Sequence, residues 1–382
     1  MTPRALALAL AGAVSMGCGA RAPGPSEAVP TGAAPAATAA TGSALAPNDV
    51  SVLFPAAPAE ALWPASSAAR GGVLLPRSEV DRLGLSLVRE VEDGDEYDAL
   101  RVVAARFDPC FRTAFAAPCQ PQIRLVFQIP DPAGGFYDGA LHALYALAPG
   151  ELDAIARELR ALAALAPENV GAPLGPSPAL TRQGLKSPYA ARLFALVTGY
   201  AGQASLVRMT FISRTFARSG QWQMGGFVTG GGKLAIAGIG ATQQNVTRTV
   251  GHAFDYTVAP AFADPAGRPG ASADRLDALA PEAQAEVHAW AVRQEDPSQH
   301  LPDTTDCASC HIGQHVARHL EERDPSLASP PLAAERGART ISLAESDADN
   351  LRAFGWVGKE PHVAQRTANE TRAVLAAFAA LP

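Results

Sequence analysis

Residues 306–320 read DCASCHIGQHVARHL, which sets two cysteines and three histidines on one short segment. Thiolate sulfur and imidazole nitrogen bind soft and borderline metals well, and a thiol can also bond covalently to a cofactor or to a second thiol. Three chemistries fit this spacing. Cys307 and Cys310, followed at once by His311, can attach a prosthetic group through two sulfurs and offer it a nitrogen ligand. Cys307, Cys310, His315 and His319 can instead complete a tetrahedral Cys2His2 zinc shell, the two histidines standing at helical i, i+4 spacing. Cys307 and Cys310 can also close on each other as a disulfide.

Cys307-Ala308-Ser309-Cys310-His311 is a CxxCH pattern, and it resembles the haem-attachment motif of the c-type cytochromes. The resemblance implies a covalent haem c on Cys307 and Cys310, with His311 as the proximal iron ligand and electron transfer as the role. It covers at most residues 275–382, and it implies a small helical domain there, with a helix before the motif and a closing helix after it. No methionine follows Met224, so the family's usual distal ligand is absent and His362 becomes the expected distal residue. His300, His315 and His319 are the other options, although His315 stands one turn after His311 on the same helix face. An open sixth position would make a haem enzyme or small-gas sensor. No acid–base set accompanies the motif, so an electron carrier with a redox partner protein is expected rather than an enzyme.

The compartment bears on all three chemistries. The chain opens MTPRALALALAGAVSMGCGA, with Arg4, an apolar run from Ala5 to Val14 and small residues before Cys18, which is an export signal too short to cross a bilayer. Ser15-Met16-Gly17-Cys18 resembles the bacterial lipobox, with serine where that family prefers leucine. The resemblance implies a lipoprotein-type signal peptide over 1–18, lipid on Cys18 and, since Gly19 follows, an outer-membrane or periplasm-facing location. Residues 19–48 are almost wholly Ala, Pro, Gly, Ser and Thr and read as a disordered tether, so the lipid would be the only membrane attachment. A net charge of −6 without a Lys/Arg cluster excludes nucleic acid as a partner. Export also favours oxidised thiols. On the alternative reading the chain is a non-catalytic surface lipoprotein, a binding or scaffold module with Cys110–Cys119 and Cys307–Cys310 disulfides.

The elements that must position these residues divide in two. Residues 49–262 read as an α+β domain, mainly antiparallel sheet with a few helices. Strands are expected over 49–54, 72–76, 100–107, 122–129, 140–147, 205–213, 221–228, 233–239 and 245–250, which are rich in β-branched and aromatic residues and separated by Gly, Pro or Asn. Helices are expected over 151–166 and 188–201. A disulfide between Cys110 and Cys119 would staple the connection between the third and fourth of these strands. A Pro/Gly/Ala-rich stretch over 260–274 marks the boundary to the helical domain at 275–382. There Pro281 opens a helix to about Gln294, a second helix spans Asp347–Phe354 with Gly355 as its cap, and Thr367-Ala-Asn-Glu370 reads as a capping box for the last.

Other signatures fail. GFVTGGGKL has Phe227 where a phosphate loop needs its first glycine, and GxSxG and HExxH are absent. His142 and His252 each stand alone and read as packed or surface histidines, and EVEDGDE lacks EF-hand spacing.

Overall fold

A computed structural model of the chain describes residues 44–83, 87, 95–112, 116–137, 139–215, 221–229, 235–236, 244–248, 256–257, 279–301, 307–328 and 353–381. The signal region, Cys18, the tether up to residue 43, the boundary stretch 260–274 and His252 lie outside them. The first described residues depart from expectation. Ala46 and Asn48, assigned to the tether, are buried. Pro47 opens a one-turn helix α1 (Pro47–Val50), and the Asn48 amide donates to Pro173 O at 2.8 Å while its oxygen accepts from Gly175 N at 3.2 Å.

From α1 the chain enters β1 (Ser51–Leu53) and then a two-residue ladder, β2 (Ala68–Ala69) with β3 (Gly72–Val73), in place of the longer strand expected at 72–76. Helices α2 (Arg77–Asp81) and α3 (Glu96–Ala99) lead to β4 (Arg101–Phe111), β5 (Gln120–Gln128) and β6 (Ala140–Ala146). Helices α4 (Glu151–Ala163), α5 (Pro178–Gln183) and α6 (Pro188–Tyr200) follow. Strands β7 (Leu206–Thr215), β8 (Gln221–Val228), β9 (Ala235–Ile236), β10 (Gln244–Arg248) and β11 (Tyr256–Thr257) complete the main sheet. Then come α7 (Pro281–Gln294), α8 (Cys307–Arg323), the hairpin β12 (Phe354–Val357) with β13 (Glu360–Val363), and α9 (Gln365–Ala379). The sheet is antiparallel, in the order β1-β4-β5-β6-β7-β8-β10-β11 with β9 on β8, so the α+β class holds.

Period-two alternation divides the central strands into two faces. Ile123, Leu125 and Phe127 of β5 and Leu141, Ala143 and Tyr145 of β6 are fully buried in the apolar core, to which α4 and α6 add Ile155, Leu159, Leu193 and Val197. The Tyr145 hydroxyl donates to Leu74 O at 2.7 Å, so this buried polar atom is satisfied. The intervening residues Arg124, His142 and Leu144 belong to the other face. From near the end of β4 the Cys110–Cys119 disulfide closes the connection to β5, as expected. A loop this short is stabilised by about 2–3 kcal/mol on the chain-entropy account.

The C-terminal segment returns to this sheet, and Gly42–Pro382 form one compact unit. Gln128 of β5 donates to Trp356 O and accepts from Trp356 N, both at 2.8 Å, and Trp356 Nε1 donates to Phe54 O at 3.1 Å. Phe354 and Gly355, expected at the end of a helix, lie instead in β12, where Phe354 and Trp356 are buried and paired across to Val363 and Pro361. Residues 347–352 lie outside the described residues. Helix α9 starts at Gln365 with Ala364 as N-cap, two residues before the capping box read at Thr367–Glu370. Thr367 Oγ1 donates to Ala353 O instead, and Glu370 is freed for a different task.

Helices α7 and α8 pack closely at Gly313, where a Cβ would stand 3.0 Å from Gln294 Cβ. At this junction Glu295, the C-cap of α7, is buried. Burial, with Glu321 nearby, raises its carboxyl to about 7 against the opposing pull of Arg318. The folded state therefore holds a proton that the unfolded chain releases near the ordinary carboxylate value. The group's contribution is most favourable below about pH 4.5 and declines as pH rises through about 7, by on the order of 3 kcal/mol. Urea titrations of Glu295→Gln between pH 4 and 8 should lack this decline, and an unchanged pH profile would contradict the assignment.

Candidate functional site

Helix α8 carries the CxxCH residues in its first turns, so positions 307 and 310, three apart, share a helix face. The helix beyond the motif is fixed by packing. Gly313, Val316, Ala317 and Leu320 are buried, and Gln314 Oε1 accepts from Gln365 N at 2.6 Å, tying α8 to the start of α9. Cys310 and His311 are thereby placed in the wall of a cavity of about 510 Å³. This is the size of pocket that takes a cofactor-sized ligand.

The opposing wall is the sheet face described above, and its side chains fall into rows because the strand registers are aligned. One row runs Arg106 (β4), Arg124 (β5), Leu144 (β6), Arg208 (β7), each directly opposite the next. The adjacent row contains Val126, His142 and Thr210. Arg106, Arg124, Leu144, Arg208, His142 and Thr210 all line the cavity. Apolar surface comes from Phe211 and Ile212 on β7, from Ala373, Val374 and Ala377 on α9, and from Leu301. The Cys110 end of the disulfide, Phe111 and Arg112 form part of its border.

The lining is strongly cationic, with five arginines (106, 112, 124, 208 and 366) against the carboxylates of Asp108 and Glu370. Glu370 projects from α9 into the cluster. Its carboxylate accepts from Arg106 Nη1 and, at 2.9 Å, from Arg366 Nε, with Arg124 Nη1 at 4.0 Å. Burial alone would raise Glu370, but Arg106, Arg366 and Arg124 together bring it down to about 2. Arg366 is held by Gln294 O at 2.7 Å and His300 O at 2.8 Å. Burial would lower Arg366, yet the charges of Cys310 and Glu370 raise it, and both Arg366 and Cys310 line the cavity. Arg124 and Arg208 are both lowered, first by burial and then by like charge, from Arg106 on Arg124 and from Arg124 on Arg208. Both guanidiniums stand 5.6 Å from the centre of the Phe111 ring, whose face partly replaces lost water.

The structure thus brings Cys310 and His311 to the cavity but not every expected residue. His362 is buried in β13 and is not among the lining residues. His300 is buried after α7 and meets the site through its backbone oxygen. The side chains of Cys307, His315 and His319 lie outside the described residues, and among the described residues no group of three or more His, Cys, Asp or Glu could hold a metal ion. His142, read from the sequence as a packed or surface histidine, lines the same cavity as His311. Alternation along β6 assigns it to the face opposite Leu141 and Ala143, but nothing local marks what covers that face. The arginine row was likewise invisible, since it exists only in the register of three antiparallel pairs. No helix among the described residues is long and apolar enough to cross a membrane. No family model, curated protein or solved structure matches the chain.

Proposed function

We propose that this chain is an exported, lipid-anchored protein that carries one covalent haem c in the cavity beside α8 and passes electrons to a partner protein. The observation that carries the reading is that Cys310 and His311 stand side by side in the wall of a cofactor-sized cavity with apolar and cationic surfaces. Those surfaces suit a flat apolar ring with carboxylate side chains. Cys307 and Cys310 would attach the haem, and His311 would bind the iron. Bound haem would supply one-electron chemistry, and the protein would supply attachment and a nitrogen ligand in a half-open cavity. The Cys110–Cys119 bridge supports an oxidising compartment, in keeping with an export signal. A haem stain of the denatured protein, made in a host with cytochrome c maturation, should be positive, and a negative stain on well-exported protein overturns the reading.

For the sixth iron position the cavity favours His142 over His362, because only His142 lines it. On this reading His142→Ala gives a reduced protein that binds carbon monoxide, whereas His362→Ala leaves a six-coordinate spectrum. Carbon monoxide binding in His362→Ala alone would return the role to His362.

A further inference from the structure

We propose that Arg106, Arg124 and Arg208, aligned across the sheet wall of the cavity, form a binding site for a paired-carboxylate group. Like charges directly opposite each other on adjacent strands destabilise a sheet, and Arg106 and Arg124 are such a pair. Arg208 continues the row beyond Leu144. Glu370 sits nearest Arg106 and compensates part of this charge, with Arg124 only at 4.0 Å. The Nε atoms of Arg106 and Arg124 are buried without a hydrogen-bond partner among the described residues. Three guanidiniums held in register and partly desolvated, two of them with an unpaired Nε, cost the ligand-free protein stability, and a dianion in the cavity supplies compensating charge. The row faces a cavity whose remaining lining is largely apolar, so the fitting ligand carries its two carboxylates at one end of an apolar body.

Identifying these carboxylates with the propionates of the haem rests on the haem reading; the preference for a paired carboxylate does not. The test is calorimetric titration of the full-length protein with succinate, with the protein made in hosts with and without cytochrome c maturation. Haem-free protein should bind succinate, and Arg124→Gln and Arg208→Gln should each weaken binding by about tenfold or more. Arg208→Lys, which keeps the charge, should retain most of it. Both glutamine variants should also raise the unfolding midpoint of haem-free protein without succinate, an effect opposite to that of removing a structural salt bridge. Haem-loaded protein should not bind succinate, and Arg208→Gln should lower its haem midpoint potential. Failure of haem-free protein to bind succinate overturns the site. Undiminished binding by haem-loaded protein overturns the propionate assignment. Binding by a protein that never stains for haem supports the site and removes the haem reading alone.

Discussion

Replacing Glu370 by glutamine is expected to lower folding stability by about 3–5 kcal/mol, the cost of removing one partner from a buried ion cluster. Glu370 is the carboxylate on which Arg106 and Arg366 converge, with Arg124 close by, so its neutralisation leaves three buried guanidiniums with Asp108, 4.0 Å from Arg106, as the compensating charge. The loss should appear as a lower denaturant midpoint at pH 7. The pH dependence has a definite sign. Glu370 is depressed to about 2, so its contribution is complete above the ordinary carboxylate range and disappears as pH falls towards 2. The glutamine variant should lack that acid limb, and its deficit relative to wild type should shrink below about pH 4. A double-mutant cycle with Arg106→Gln should return a large favourable coupling. Near-additivity would mean that the two side chains do not act together.

The second expectation is all-or-none. With Cys307 and Cys310 both replaced by serine, no haem should survive denaturation with the polypeptide, while wild type keeps its full complement. The fold should persist, because α8 is held by Gly313, Val316, Ala317, Leu320 and the Gln314–Gln365 bond rather than by the motif. A double variant that retains haem through denaturation would place the attachment elsewhere, and one that fails to fold would make the two cysteines structural.

Much of the scaffold was legible because it is written in local periodicity. The limits of β8 (Gln221–Val228) and α7 (Pro281–Gln294) match the strand and the helix read from residue type with its turn signals and from Pro281 in the first turn. The misreadings share a cause. Thr367-x-x-Glu370 satisfies a local capping rule, but an earlier start at Gln365 turns Glu370 inward to meet Arg106, more than two hundred residues away in sequence. Phe354-Gly355-Trp356 seemed a helix end locally, yet Trp356 is held in extended backbone by Gln128 of β5. His142 carried no signal because its neighbours are chosen by strand pairing and by the return of α8 and α9 to the sheet. A pattern written in consecutive residues, such as Cys307-x-x-Cys310-His311, was visible at once; one assembled by strand register was not.

The most direct measurement is the mass of the tryptic peptide spanning residues 294–318, which contains both cysteines of the motif and no internal Lys or Arg. Isolated without reduction from exported protein made with cytochrome c maturation, it should weigh one haem more than the bare peptide. A peptide lighter than the reduced form by two hydrogens would show a Cys307–Cys310 disulfide. A peptide with two free thiols would leave a labile metal as the remaining chemistry, and either result would contradict the haem account.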